Sequence, residues 1–170
     1  MKTTRFVAGI LLALTRILAV GYAMSFLLSL LALSTGWSLH LINGNRRFEI
    51  LYPLSDVPFL LGEYNDGYIL MFLLLLGLYS LFFFLVGNVF KVFTRAKLFT
   101  PYGIRQLRWF YLGNLMLPIA AALIITLCYG VDAALVILVI LHIILGVFTY
   151  FMAAIFEQGL VLQSENDLIL

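Results

Sequence analysis

Apolar and polar positions along this chain sort into long blocks. From Ile17 to Gly36, Tyr68 to Phe90, Leu107 to Tyr129 and Ala133 to Phe156 nearly every residue is apolar, and none of the four blocks holds an Asp or Glu. Runs of about 20 apolar residues at ~1.5 Å rise per residue match a ~30 Å hydrocarbon layer. The pattern predicts an all-α membrane protein, a single four-helix transmembrane domain over residues 1–170. Its spans are 17–36, 68–90, 107–129 and 133–156. The intervening polar pieces are a loop at 37–67, a loop at 91–106 and a tail at 157–170.

The N-terminal block invites a second reading, because Ala19-Val20-Gly21 has the small-x-small form of a signal-peptide cleavage site. Arg16 lies where the apolar core of such a peptide runs uninterrupted, and the apolar run continues to Leu33, so an uncleaved first span is expected. Its amphipathic lead-in, Thr3 to Arg16, is expected at the inner interface. There Arg16 either snorkels to the headgroups or pairs with a carboxylate such as Glu157. Small residues recur four apart at Ala19 and Ala23, Gly21 and Ser25, and Ser25 and Ser29, a spacing that permits close helix approach in lipid.

The segment from Trp37 to Gly67 is the one sizeable polar stretch. Asn43-Gly44 between Ser38–Ile42 and Arg46–Tyr52 predicts a short β-hairpin with a type I′ turn. Pro53 and Pro58 are expected to break regular structure after it, and Asn65-Asp66-Gly67 to turn the chain into the second span. Asn88, beside Gly87, is expected to make a helix–helix hydrogen bond at a close contact. In the third span Pro118 removes one backbone donor, which predicts a kink or a free carbonyl near Asn114. Gly130-Val131-Asp132 reads as a tight turn.

Charge orients this scheme. The chain is 64% hydrophobic and 11% charged, against roughly 25% charged in ordinary soluble domains. Of its ten Lys and Arg, Lys2, Arg5, Arg16, Lys91, Arg95, Lys97, Arg105 and Arg108 fall on one side of a four-span arrangement. Arg46 and Arg47 fall on the other, beside Glu49, Asp56, Glu63 and Asp66. By the positive-inside rule both termini and the 91–106 loop are cytoplasmic (N-in, C-in) and the hairpin loop is extracytoplasmic. The basic loop leads into a helix start: Thr100 as N-cap, Pro101 at the first helical position, and Phe99 with Ile104 as a hydrophobic staple. Gly103 stands where a capping-box Glu would complete the motif.

Candidate chemistry is sparse. His142 lies mid-span, where an ionisable residue is a functional-site hypothesis by default; with Asn114 it makes a candidate intramembrane polar site. The alternative is a neutral imidazole bonded to a backbone carbonyl, or to Thr126 or Asn114. His40 has no second His or Cys nearby, so no metal is expected, nor any other cofactor. The single cysteine, Cys128, excludes an intrachain disulfide and reads as a small apolar residue. No His-Glu-x-x-His, no Gly-x-Ser-x-Gly and no paired intramembrane carboxylates occur, so an enzyme is not expected.

Two segments carry a resemblance. LFTPYGIRQLRWFYLGNL is similar to the "P-F-T … N … L-R-x-I-G" segment, and GLVLQSENDLIL to the C-terminal "G-x-x-L-Q-x-E-N-D-L-T-I" segment, of a bacterial integral-membrane family, the domain of unknown function numbered 2975. The matching positions are Phe99, Thr100, Leu107 and Arg108, then Gly159, Leu162, Gln163, Glu165, Asn166, Asp167, Leu168 and Ile169. Leu98 stands for the family's Pro, and Gly103 for its polar capping position. The resemblance implies a four-span protein of the bacterial cytoplasmic (inner) membrane. It also implies a cytosolic helix-turn-helix regulator as a partner, with no activity and no direct nucleic-acid contact of its own. Beside the lipid bilayer and a second copy of the chain, that regulator is the partner to consider.

Both resembling segments fall on the expected cytoplasmic side, one basic and one acidic. They make Arg95, Arg105, Arg108, Gln163, Glu165, Asn166 and Asp167 the candidate partner-docking residues, with Glu157, Glu165 or Asp167 expected to pair with Arg95, Arg105 or Arg108. A sensing, regulatory or immunity-like role follows; a small transporter or channel subunit using Asn88, Asn114, Pro118 and His142 is the alternative.

Overall fold

In the computed structural model residues 2–130 and 133–167 are described, Asn166 and Asp167 by their backbone alone. Val131 and Asp132 of the expected turn lie outside the described residues, as do Leu168, Ile169 and Leu170. The elements in order are α1 (Lys2–Thr35), β1 (Leu39–Ile42), β2 (Arg47–Leu51), β3 (Pro58–Glu63), α2 (Asp66–Phe93), α3 (Pro101–Tyr129) and α4 (Ala133–Asp167). All four helices are long and apolar enough to cross a membrane, as an integral membrane protein requires.

All four helices are longer than their apolar blocks, α1 and α4 by the most. The lead-in before Arg16 is continuous with the first span, because Thr3 to Arg16 contains no Gly-Pro break and joins an apolar run in register. The segment after Phe156 is not a loose tail: α4 continues to Asp167. Phe151 and Ile155 stay exposed while Ala153 and Phe156 are buried, and the same face carries on into the partly buried Gly159 and Leu160.

Each helix packs mainly on its neighbour in sequence, α1 on α2, α2 on α3 and α3 on α4. On the α1 face toward α2 the buried residues are small, Ala8, Thr15, Ala19, Ser29 and Ala32, and Tyr22 adds a ring contact to Tyr79 and Phe83. Ser80 donates to the Ala19 carbonyl across it at 3.0 Å. Gly21 faces away from that seam, and a Cβ there would meet nothing within 4 Å. The opposite face presents Phe6, Ile10, Ile17, Val20 and Met24 to the surroundings, the pattern of a lipid-facing helix.

The polar segment folds into a three-stranded antiparallel sheet, β1-β2-β3. Ile42 pairs with Arg47, so Asn43 to Arg46 make the connection, and Asn43, Gly44 and Asn45 all take positive φ (54°, 65° and 63°). The turn is therefore longer than a two-residue type I′ turn; a second Asn, which tolerates the left-handed region, extends it. The expectation for Pro58 needs correcting: it opens strand β3 instead of ending regular structure. Pro is admissible at the first position of an edge strand. The register shifts between Ile50 and Leu51 so that Leu51 faces Pro58, and the Tyr52 N–H bonds the Val57 carbonyl at 3.0 Å.

One sheet face lies on the ends of α1 and α2. Phe48 and Ile50 are fully buried there with Ala32, flanked by Leu28, Leu60, Tyr68 and Phe72. Full burial of each such side chain stabilises by about 1.5–3 kcal/mol. Asn65 caps α2, its Oδ1 accepting from the Tyr68 N–H at 2.8 Å. A second apolar cluster sits at the other end of the molecule: Val92, Ile104, Leu107, Ala153 and Phe156, drawn from α2, α3 and α4.

Candidate functional site

The second cluster is the floor of the site. Helix α3 starts where its sequence dictates. The Thr100 side chain accepts from the Gly103 N–H at 3.1 Å and the Thr100 carbonyl from the Ile104 N–H at 3.1 Å. Phe99 and Ile104 meet in the same apolar cluster. Gly103 has a packing reason: a Cβ there would lie 3.0 Å from Val92 Cγ1 and 3.1 Å from the Leu98 carbonyl oxygen, so any side chain must push these neighbours back.

The two family-like segments are packed on each other. The Phe99 ring stacks edge-on against Phe156 at 5.3 Å between centroids. It also covers Gly159 so closely that a Cβ there would fall 2.6–2.8 Å from ring atoms. Arg108 Nη2 donates to Glu157 Oε1 at 3.2 Å, with both side chains about half exposed. Such a pair is worth about 0–1 kcal/mol, so the apolar Phe99 contact, and not the charge pair, holds the segments together.

The remaining candidate residues surround this contact. Arg95 lies over the Tyr102 ring at 3.7 Å from its centroid and Arg105 at 5.9 Å. One aromatic ring thus meets two cations, each such contact worth about 0.5–1 kcal/mol at an exposed site. Gln163 is half-buried and Glu165 exposed on the last turns of α4. Asn166 and Asp167 belong to the same helix end, and their side chains lie outside the described residues. Among the described residues Glu165 makes no ion pair with Arg95 or Arg105; the pairing formed is Arg108 with Glu157.

Arg16 does not pair with Glu157; it bonds groups of α2. Its Nη2 donates to Asn88 Oδ1 and its Nη1 to the Phe84 carbonyl at 3.3 Å, with the guanidinium 4.5 Å from the Phe84 ring centroid. Gly87 makes room for this: a Cβ there would be 2.8 Å from Thr15 Oγ1 and 3.6 Å from the guanidinium carbon. Arg5 meanwhile donates to the Ala96 carbonyl at 3.3 Å.

No protein-family model, curated protein or solved structure matches this chain. The geometry of its sites therefore carries the functional reading.

The intramembrane pair is brought together as well. Asn114 and His142 line one small cavity between α2, α3 and α4. Asn114 is 3% exposed. Its Nδ2 donates to the Phe110 carbonyl at 2.8 Å, while its Oδ1 has no protein partner. His142 Nδ1 lies 2.9 Å from the Leu138 carbonyl. Its ring is edge-on to Tyr79 and Phe82 at 6.1 and 5.6 Å. The partner of His142 is thus a backbone carbonyl of its own helix, not Thr126 and not Asn114.

Sequence reasoning missed three features of these sites. Tyr102 as a platform for two arginines had no signal beyond an aromatic residue inside a basic stretch. The Phe99–Gly159 seat had no sign, because Gly159 falls in the expected tail; only with α4 running on to Asp167 is it a helical glycine, which costs stability unless something needs its missing side chain. The Arg16–Asn88 bond joins residues 72 apart in sequence, beyond the reach of any local period.

Proposed function

We propose that this chain is a non-enzymatic multi-pass protein of the bacterial cytoplasmic membrane. Both chain ends lie in the cytoplasm, the three-stranded sheet lies outside, and the protein acts by docking a cytosolic partner. The docking surface is the Thr94–Thr100 connection, the first turns of α3 and the last turns of α4. The observation that carries the reading is the seating of Phe99 on Gly159 and Phe156. It builds the two distinctive segments into one surface that carries Arg95, Arg105, Gln163 and Glu165. A surface rich in half-exposed charge and anchored by an apolar seat stabilises the fold little through its charges, and it presents them in a fixed arrangement. The resemblance to the family of unknown function makes a helix-turn-helix regulator encoded beside it the partner to test.

The experiment compares recovery of that regulator on the full chain and on a chain lacking Gly159–Leu170, both purified from membranes. Loss of recovery with unchanged membrane insertion is expected; equal recovery on both sinks the proposal.

A second reading, a small transporter or channel subunit, draws on Asn114 and His142 lining one cavity. On that reading His142→Leu abolishes proton- or solute-dependent flux in vesicles. The cavity has a volume of about 20 Å³, far short of a pathway, which favours docking.

A further inference from the structure

The cavity between α2, α3 and α4 is an acceptor-rich site. His142 Nδ1 lies 2.9 Å from a carbonyl oxygen, which only accepts, so the tautomer that satisfies this contact carries its proton on Nδ1 and leaves Nε2 as an acceptor. Asn114 gives one of its two amide N–H groups to the Phe110 carbonyl and leaves its buried Oδ1 without a protein donor. Pro118, which also lines the cavity, has no N–H to give to the Asn114 carbonyl one turn back. A buried polar atom without a partner is costly, and most such atoms in folded proteins bind protein or ordered water.

The volume decides what can fill that role. About 20 Å³ holds one water, which needs roughly 10–15 Å³ on the same measure and typically 2–4 polar partners. Leu78, Leu81, Phe82, Leu85, Gly113 and Leu117 supply the rest of the wall, and no carboxylate lines it. A cation of similar size would be buried without a counter-charge, which low-dielectric surroundings disfavour strongly. A neutral double donor is the occupant whose chemistry suits two acceptors.

We propose that this cavity is a one-water site, in which a single water donates one hydrogen to Asn114 Oδ1 and the other to His142 Nε2, bridging α3 to α4. The site is independent of the docking surface. It gives Asn114 and His142 a joint task that neither performs alone, and it ties the Pro118 region of α3 to the fourth helix through an exchangeable ligand.

The test is solid-state NMR of the full chain in lipid bilayers with isotope-labelled histidine. The substitution His40→Gln makes His142 the sole imidazole. Expected are a protonated Nδ1, an unprotonated Nε2, and magnetisation transfer from water to Nε2. Two further variants probe the walls: Asn114→Leu removes one acceptor, and Gly113→Ala adds a methyl 2.8 Å from Leu85 Cδ1 on the cavity wall while keeping both polar groups. Water transfer is lost in whichever of these folds. A proton on Nε2 in place of Nδ1, no water transfer in the unmodified site, or transfer undiminished in either variant would each overturn the proposal.

Discussion

A guanidinium within an apolar helix must find acceptors, and Arg16 takes two from α2, the Asn88 side chain and the Phe84 carbonyl. The Asn88 bond is charge-assisted, a class worth about 1.5–3 kcal/mol when one partner is removed. Asn88→Leu should therefore lower stability by roughly 1–3 kcal/mol in denaturant titration of the detergent-solubilised protein. Combining it with Arg16→Leu should cost clearly less than the sum of the two single changes; simple additivity would mean that the bond contributes nothing. Gly87→Ala probes the same seam from the other side. Its methyl would press on Thr15 Oγ1 at 2.8 Å, and Thr15 is already tied to the Leu11 and Leu12 carbonyls. Overpacking of this kind costs about 1–3 kcal/mol, and a melting temperature equal to that of the parent chain would refute it. At this scale the sequence was partly legible. Gly87-Asn88 announced a close contact with a polar bond, whereas the partner was hidden because tertiary pairing between separate spans leaves no period to read.

Elements were legible wherever a local rule governs them. The four helices follow from the apolar blocks, and the start of α3 follows from Thr100-Pro101 because capping is decided within one turn. Thr100→Ala should cost about 1 kcal/mol while Thr100→Ser or Thr100→Asp retains stability; an unchanged unfolding midpoint in the alanine variant would show that the cap is redundant. Strand β3 was not legible, since Pro58 argues against a strand unless its neighbours are known to place it first on an edge. Gly62 within β3 explains itself only in the fold. A Cβ there would sit 2.4 Å from Phe48 and 2.6 Å from Tyr68, the two rings that clamp the sheet to α2. Gly62→Ala should loosen the sheet without disturbing the spans. Faster protease cleavage between Trp37 and Gly67 at unchanged helical content is the expected result, and an unchanged cleavage rate would argue that the rings have room to move.

At the scale of the whole molecule, the two apolar clusters lie at opposite ends, and most of the basic residues gather at one of them. Arg5, Arg16, Arg95, Arg105 and Arg108 all make contacts around the end where α2 gives way to α3 and α4 finishes. The sheet, carrying Arg46 and Arg47, covers the other end. The proposed orientation, basic end in the cytoplasm, rests on the positive-inside rule applied to eight basic residues against two across short connections, and the docking proposal depends on it because a cytosolic partner reaches nothing else. The chain's one cysteine makes the test clean. In a Cys128→Ala background, Asp56→Cys, at an exposed position between β2 and β3, should react with a membrane-impermeant maleimide in intact cells. Ser164→Cys, exposed near the end of α4, should react only after permeabilisation. The reverse pattern would put the Phe99–Gly159 surface outside the cell. The docking proposal would then fail even if the fold, the Arg16–Asn88 bond and the Asn114–His142 cavity all stood, since none of those depends on which way the molecule faces.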